Sequence, residues 1–413
     1  MKKSMKMLLM VFAVAFGVLL VSGTTSKAAS WQATWNSGLK ATGQKTQSVD
    51  LQWNTYLGEE TADYYYIYLG NDTENMRFFN YVNSSRTNAT ITGLAPGAVY
   101  YAAIVPVIGY GDEAEALAWG EAVKIGTVPV VNPVTGLKQT SATANSVTMT
   151  WDPVSGATSY DVYRYNNYND YTIVGQNLTT TSHTVGGLNP NMSVYYFVVA
   201  KQTVAETGIM GQSSEYTRIA MKTVPAKVTL LAITNYWQYL GEAVYGWGSM
   251  SNISGYEFEL RNSSNKVLIK KDTGTSSSCD VKPFPKGVFT KARARAYITV
   301  NNKKLYGPWS NYLYNASTKK CTVKRSANKK KITVKWTKVK GATGYKVSIS
   351  TKSNGKYKKV KTLSKKKSSL TITKYNKKKL SKKKKYFIRV EYLIKVGKKT
   401  YTSKIVSGDS LGI

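Results

Sequence analysis

Trp151-Asp-Pro-Val-Ser-Gly-Ala-Thr-Ser-Tyr160 and Trp336-Thr-Lys-Val-Lys-Gly-Ala-Thr-Gly-Tyr345 share Trp, Val, Gly-Ala-Thr and Tyr at equal spacing. Trp247 and Tyr256 keep the nine-residue step, and Trp53 with Tyr64 keeps a version two residues longer. The four Trp lie 98, 96 and 89 residues apart. Self-similarity at a fixed period marks a repeat architecture. A period of about 100 residues is the size of a seven-stranded, two-sheet sandwich.

Each Trp ends a run in which alternate residues are apolar: Val49, Leu51, Trp53; Val147, Met149, Trp151; Ile332, Val334, Trp336. Alternation of this kind describes a half-buried strand whose apolar side chains all face one way. The Tyr that follows opens a second such strand, as in Tyr345, Val347 and Ile349, with Lys346 and Ser348 expected to face water. Pro, Gly, Asn and Ser separate the runs and supply turns, and the chain beyond its first residues shows no sustained helical periodicity.

A second landmark is Leu-x-Pro-x3-Tyr. Leu94, Pro96 and Tyr100 fit it, Leu380 and Tyr386 fit with Lys382 in the Pro position, and Leu188 and Pro190 fit with one extra residue before Tyr195. A Tyr there can bury its ring while its hydroxyl bonds back to the turn, fixing a corner between sheets. With Trp in the second strand, Tyr in the third and this corner, the chain resembles fibronectin type III domains. The Lys-rich version around Trp336 looks like units of exported surface proteins of Gram-positive bacteria.

The expected fold is therefore all-β, a tandem array of four seven-stranded immunoglobulin-like sandwiches after a signal peptide. The boundaries fall at 1–29 for the signal, then 30–130, 131–225, 226–318 and 319–413. The third unit diverges, since Phe284-Pro285-Lys286-Gly287-Val288-Phe289 has no Tyr at the corner. Thr127-Val128-Pro129 and Thr223-Val224-Pro225 close two units, and such short Pro-containing links imply an extended rod.

The N-terminus runs from Lys2, Lys3 and Lys6 through an apolar stretch, Leu8 to about Val21, into small and polar residues up to Ala29. That is the order of a secretory signal peptide, with cleavage after Ala28 or Ala29; retention as an anchor is the other reading. The apolar run is short of the roughly 20 residues that a membrane-spanning helix needs. The expected location is secreted, extracellular or associated with the cell wall. Cys279 and Cys321 either pair across the joint between the third and fourth units or stay as separate thiols.

Of 413 residues, 58 are Lys or Arg and 22 are Asp or Glu, a formal charge of +36. The excess is local. Residues 30–130 hold 5 bases and 10 acids, 131–225 hold 5 of each, 226–318 hold 12 and 5, and 319–413 hold 32 and 2. Within the last unit Lys365, Lys366 and Lys367 precede a strand near 369–373. Lys377, Lys378, Lys379, Lys382, Lys383, Lys384 and Lys385 follow it, so the two clusters should cap opposite ends of the sandwich. Self-repulsion on this scale weakens a fold, and a polyanion relieves it. The bases are nearly all Lys, a hydrated point charge without the planar fork of Arg, which favours diffuse attraction to a polymer over a shaped pocket. The expected partner is an anionic cell-wall or extracellular polymer: teichoic acid, an acidic glycan or extracellular DNA. A surface protein or glycan ligand is a further expected partner.

Tyr163, Tyr165 and Tyr168, with Tyr171, crowd one strand and turn of the second unit, as Tyr64, Tyr65, Tyr66 and Tyr68 do in the first. Rings left outside could stack on sugars, though sandwiches use outer aromatics as cross-strand pairs, which is the favoured reading. Asp112, Glu113 and Glu115 lack the spacing of a known calcium loop. His183 is the single His and sits in a strand-like run, and no nucleophile, zinc, phosphate-loop or dinucleotide motif is present. The sequence thus implies a non-enzymatic structural or adhesive binding protein without cofactor or metal, held on anionic polymer by its last unit. The alternative is an ancillary carbohydrate-binding component beside a glycan-degrading enzyme.

Overall fold

A computed structural model of the chain describes residues 32–412, except 168–169, 230, 238–240, 317–319, 354 and 404–406. The expected signal segment lies outside these residues. Among the described residues the fold is all-β, with one 3-10 turn, and the strands form antiparallel sheets. Among the described residues there are four three-stranded and four five-stranded sheets, with one small two-stranded ribbon. The chain gathers into two compact bodies. The first takes the described residues up to Lys138 with Thr150–His183 and Tyr195–Ile219, and the second takes Gln139–Met149, Thr184–Val194 and the rest from Ala220.

The first repeat shows the plan. β1 (Lys40–Gln44), β2 (Ser48–Gln52) and β5 (Asn88–Thr92) make one sheet, in the order β1-β2-β5. β3 (Tyr64–Gly70), β4 (Arg77–Asn83) and β6 (Val99–Ile108) make the other, in the order β4-β3-β6. The last strand is broken into β7 (Glu115–Ala116) and β8 (Val123–Gly126), and both pieces pair with β6. Val49 and Leu51 of one sheet and Tyr65, Ile67, Ala102 and Ile104 of the other meet in a shared core with Trp53. The period-two pattern and the burial pattern therefore coincide, which is what fixes register in a sheet buried on one face.

In every repeat the landmark Trp packs edge-on or tilted against a landmark Tyr: Trp53 on Tyr65, Trp151 on Tyr160, Trp247 on Tyr256, Trp336 on Tyr345, with ring centres 5.2–5.7 Å apart. Such pairs add about 1 kcal/mol beyond the area they bury. Each Tyr hydroxyl also accepts a backbone N–H from the loop between the two strands, from Tyr56, Val154, Met250 and Val339 in turn. One ring thus fills the core and one oxygen pins the loop above it.

Three sequence expectations need correction. In the first repeat the landmark is Tyr65, not Tyr64, because the preceding loop is longer and Tyr65 is the ring in phase with Ile67. In the second repeat Tyr195 is half exposed and does not fill the corner; Tyr196 is the buried ring. There the N–H of Asn189 donates to Met192 Sδ at 3.2 Å, and Thr223 Oγ1 ties the turn by donating to the Asn189 carbonyl at 2.8 Å. The corner does form at Tyr100 and Tyr386, whose hydroxyls accept from the N–H groups of Ala95 and Ser381, both at 3.0 Å. Finally, Ser348 is buried, lying between its cross-strand partners Arg389 and Lys359.

Within the second body the third and fourth repeats share a core. Phe289, Tyr314 and Ala316 of the third pack into the cluster built on Trp336, Tyr345 and Tyr392 of the fourth. Tyr314 lies against Tyr401 at 4.1 Å, and the backbones of Phe289 and Gly287 exchange hydrogen bonds with Lys340 at 2.9 Å each. Cys279 is in the core of the third repeat and Cys321 packs against that of the fourth, both as free thiols. Burial pushes each thiol up to about 11. Since the thiolate is the nucleophile, both should alkylate at pH 8 about a hundredfold more slowly than in the unfolded chain. A chain that stays unlabelled even in denaturant would instead hold a disulfide.

Candidate functional site

The ten lysines singled out by the sequence are all exposed and make no ion pair among the described residues. Lys365, Lys366 and Lys367 follow the strand Lys358–Ser364, where the N–H of Lys367 closes a turn on the carbonyl of Ser364. They precede the strand Ser369–Ile372. Beyond it, Lys374–Tyr375 and Lys378–Lys379 form a small ribbon. Its two turn residues, Asn376 and Lys377, have φ of 52° and 65°, so the tight hairpin carries a lysine in the left-handed region that favours glycine. Lys382, Lys383, Lys384 and Lys385 fill the corner under Tyr386.

Arg325 gathers this end of the repeat. Its guanidinium donates to the carbonyls of Lys329, Lys384 and Ser381, the last at 2.6 Å, and lies over the ring of Tyr386. The turn bearing Lys329 and Lys330 is thereby buckled to the corner bearing Lys382 to Lys385. Arg389 lies 4.1 Å from the ring centre of Tyr357. The two arginines of the last repeat are occupied within the fold, and the lysines supply the outward charge. Of the two acids there, Glu391 is held by Lys346 at 2.7 Å.

At the other end Lys365 lines a shallow groove of about 500 Å³ with Lys338, Lys340 and the Gly341-Ala342-Thr343 backbone. Sequence reading missed this grouping, because Lys338 and Lys340 sit inside the landmark phrase, 25 or more residues before Lys365. The two lysine groups therefore bracket the strand Ser369–Ile372.

The aromatic candidates behave differently. Tyr163 stacks on Phe197 at 5.0 Å, and Tyr165 packs against Tyr171 while the Arg218 guanidinium lies over the Tyr165 ring, 4.5 Å from its centre. These rings are engaged by cross-strand partners, and Tyr168 lies outside the described residues. In the first repeat Asp112 and Glu113 form the exposed 3-10 turn Gly111–Glu113. His183 lies in the strand Ser182–Val185 with Nε2 2.9 Å from the carbonyl of Val174. Among the described residues no three His, Cys, Asp or Glu converge to hold a metal ion, and no helix is long and apolar enough to cross a membrane.

The strand orders and the repeated Trp–Tyr pair make these repeats fibronectin type III-like. No protein-family model matches the chain. It is similar to the tail tube protein gp17.1* of Bacillus phage SPP1, 38% identical over 121 residues, covering 29% of this chain and 40% of that protein. It is also similar to the receptor-type tyrosine-protein phosphatase eta of Gallus gallus, 27% identical over 261 residues, covering 62% of this chain and 17% of that protein. The chain thus spans less than half the length of these curated relatives. Among solved structures it is similar to a two-domain fibronectin type III segment of chicken tenascin, with 18% identity, a TM-score of 0.25, and 45% of this chain and 97% of that one covered. The FN1-FN3 domains of chicken CNTN1 align with 17% identity and a TM-score of 0.23, covering 67% of this chain and 98% of that one.

Proposed function

We propose that the chain is an exported, non-enzymatic structural or adhesive binding protein, retained on anionic surface polymer by its Lys-rich last unit. Its organisation is a signal segment at 1–29 and four units, at 30–130, 131–225, 226–318 and 319–413. The observation that carries this reading is the unpaired charge: ten exposed lysines in the turns and small ribbon around one short strand, in a segment with 32 bases and 2 acids. Lysine heads on pinned loops attract any dense line of negative charge without requiring a shaped pocket. A relative named as a tail tube protein is in keeping with a structural role. Teichoic acid, acidic glycan and extracellular DNA share the chemistry such a surface takes.

Retention by charge has a direct consequence at the cell surface. The protein is expected to wash off cells in high salt and to ignore neutral sugars, because screening at about 1 M salt shrinks the Debye length to about 3 Å. Release by free sugar at low salt would instead favour the carbohydrate-binding alternative. Truncation at residue 318 is a poor test, since it strips the shared core from Phe289, Tyr314 and Ala316. Substitution of the lysines in the full chain avoids that fault.

A further inference from the structure

One sheet face breaks the pattern of its siblings. The position after the landmark Tyr points outward in every repeat. In the last three it carries a charge with a partner: Asp161 with Lys201, Glu257 with Arg295 and Lys270, Lys346 with Glu391. In the first it is Tyr66, which with Val105 and Val107 forms a second apolar cluster on the outside of the β4-β3-β6 sheet. Over that cluster lie Phe78, Tyr81 and Tyr110, which are 51%, 37% and 54% exposed. Tyr66 meets Phe78 at 5.0 Å, Tyr81 meets Tyr110 at 5.1 Å, and the Tyr110 hydroxyl donates to that of Tyr81 at 3.0 Å.

Several rings elsewhere have a cation on them, Lys124 over Tyr101 within the first repeat among them. Arg218 covers Tyr165 in the second, and Arg293 and Arg295 cover Trp309 in the third, at 4.1 and 4.3 Å. Among the described residues no cation lies over Phe78, Tyr81 or Tyr110. The repeat that bears these rings holds 10 acids and 5 bases, whereas the last holds 2 acids and 32 bases. Exposed aromatic rings, set in a repeat of net negative charge, fit a cationic occupant better than a neutral sugar.

We propose that this outer aromatic face of the first repeat is the docking site for the Lys-rich last repeat of a second copy of the chain. The contact joins two different surfaces, the head of one copy to the tail of another. Each lysine head set over a ring gains about two- to thirtyfold in affinity, and the long-range field raises the encounter rate at low salt. The inference does not depend on polymer retention, although a polyanion would compete for the same lysines.

The test uses two full-length variants, a head variant (Phe78→Ser with Tyr110→Ser) and a tail variant with the ten named lysines changed to Gln. Circular dichroism melting checks that both are folded. Light scattering in about 20 mM salt, where the Debye length exceeds 20 Å, should find concentration-dependent assembly of the unchanged protein that disperses at about 0.5 M. Each variant alone should stay monomeric, and an equimolar mixture should stop at one-to-one pairs, because each supplies the surface the other lacks. The proposal is overturned if the unchanged protein stays monomeric, if the head variant still assembles, or if the mixture does not pair. It is overturned equally if neutral oligosaccharide rather than salt disperses the assembly, which would assign the rings to a glycan.

Discussion

Changing Lys382, Lys383, Lys384 and Lys385 to Gln should cost the protein roughly a thousandfold in affinity for a linear polyphosphate at about 0.1 M salt. Neutralising phosphates releases counterions, and each contact contributes a slope of about −0.7 to −0.9 in log K against log salt. Four lost contacts therefore flatten the plot by about three units. The substitution isolates charge from shape. The corner is held by the Tyr386 hydroxyl on the Ser381 N–H and by Arg325 on the Lys384 and Ser381 carbonyls, none of which uses a lysine side chain. Thermal stability should be unchanged or rise, because four like charges leave a surface already crowded with them. Titration across salt concentrations reads both slope and affinity. An unaltered slope would mean that the cluster is only a solubilising coat.

How much of this was legible depended on whether the signal was local. Alternation in Ile332, Val334 and Trp336 is a property of five adjacent residues, and burial on one sheet face follows from it directly. The lysine clusters are likewise runs in the sequence. The misplaced tyrosines failed for a specific reason: Tyr64, Tyr65 and Tyr66 are chemically identical neighbours, as are Tyr195 and Tyr196, so composition cannot say which one faces inward. Phase can. Tyr65 is in step with Ile67, and Tyr196 with Val198 and Ala200, all buried. The shared core of the last two repeats, the buckle made by Arg325 and the groove joining Lys338 to Lys365 arise from contacts between distant residues, and no run or spacing announces them.

Asp161→Ala should destabilise the second repeat by about 3–5 kcal/mol, the cost of leaving a buried charge without its partner. Asp161 and Lys201 have side chains 6% exposed and meet at 2.8 Å. Asn177 completes the arrangement, its N–H donating to Asp161 at 2.8 Å and its side-chain oxygen accepting from Lys201 at 2.6 Å. Asn177 has φ of 52°, a left-handed conformation that Asn tolerates better than most residues, so the turn that places it is itself specified. Lys201→Met should cost a similar amount by stranding the carboxylate. The double change Asp161→Ala with Lys201→Met should recover most of the loss, since it removes both charges together and strands neither. A double-mutant cycle then gives a coupling of several kcal/mol. Because a chain of several units need not unfold in one step, the reading is best taken locally. Hydrogen exchange of the amides in Ser159–Asn167 reports the opening of this sheet alone. A loss in the double variant equal to the sum of the two single losses would show that the pair has no coupling, and single losses under about 1 kcal/mol would place it with ordinary surface ion pairs. The Lys346–Glu391 pair at the equivalent position, more exposed at 35% and 17%, should lose much less on the same treatment.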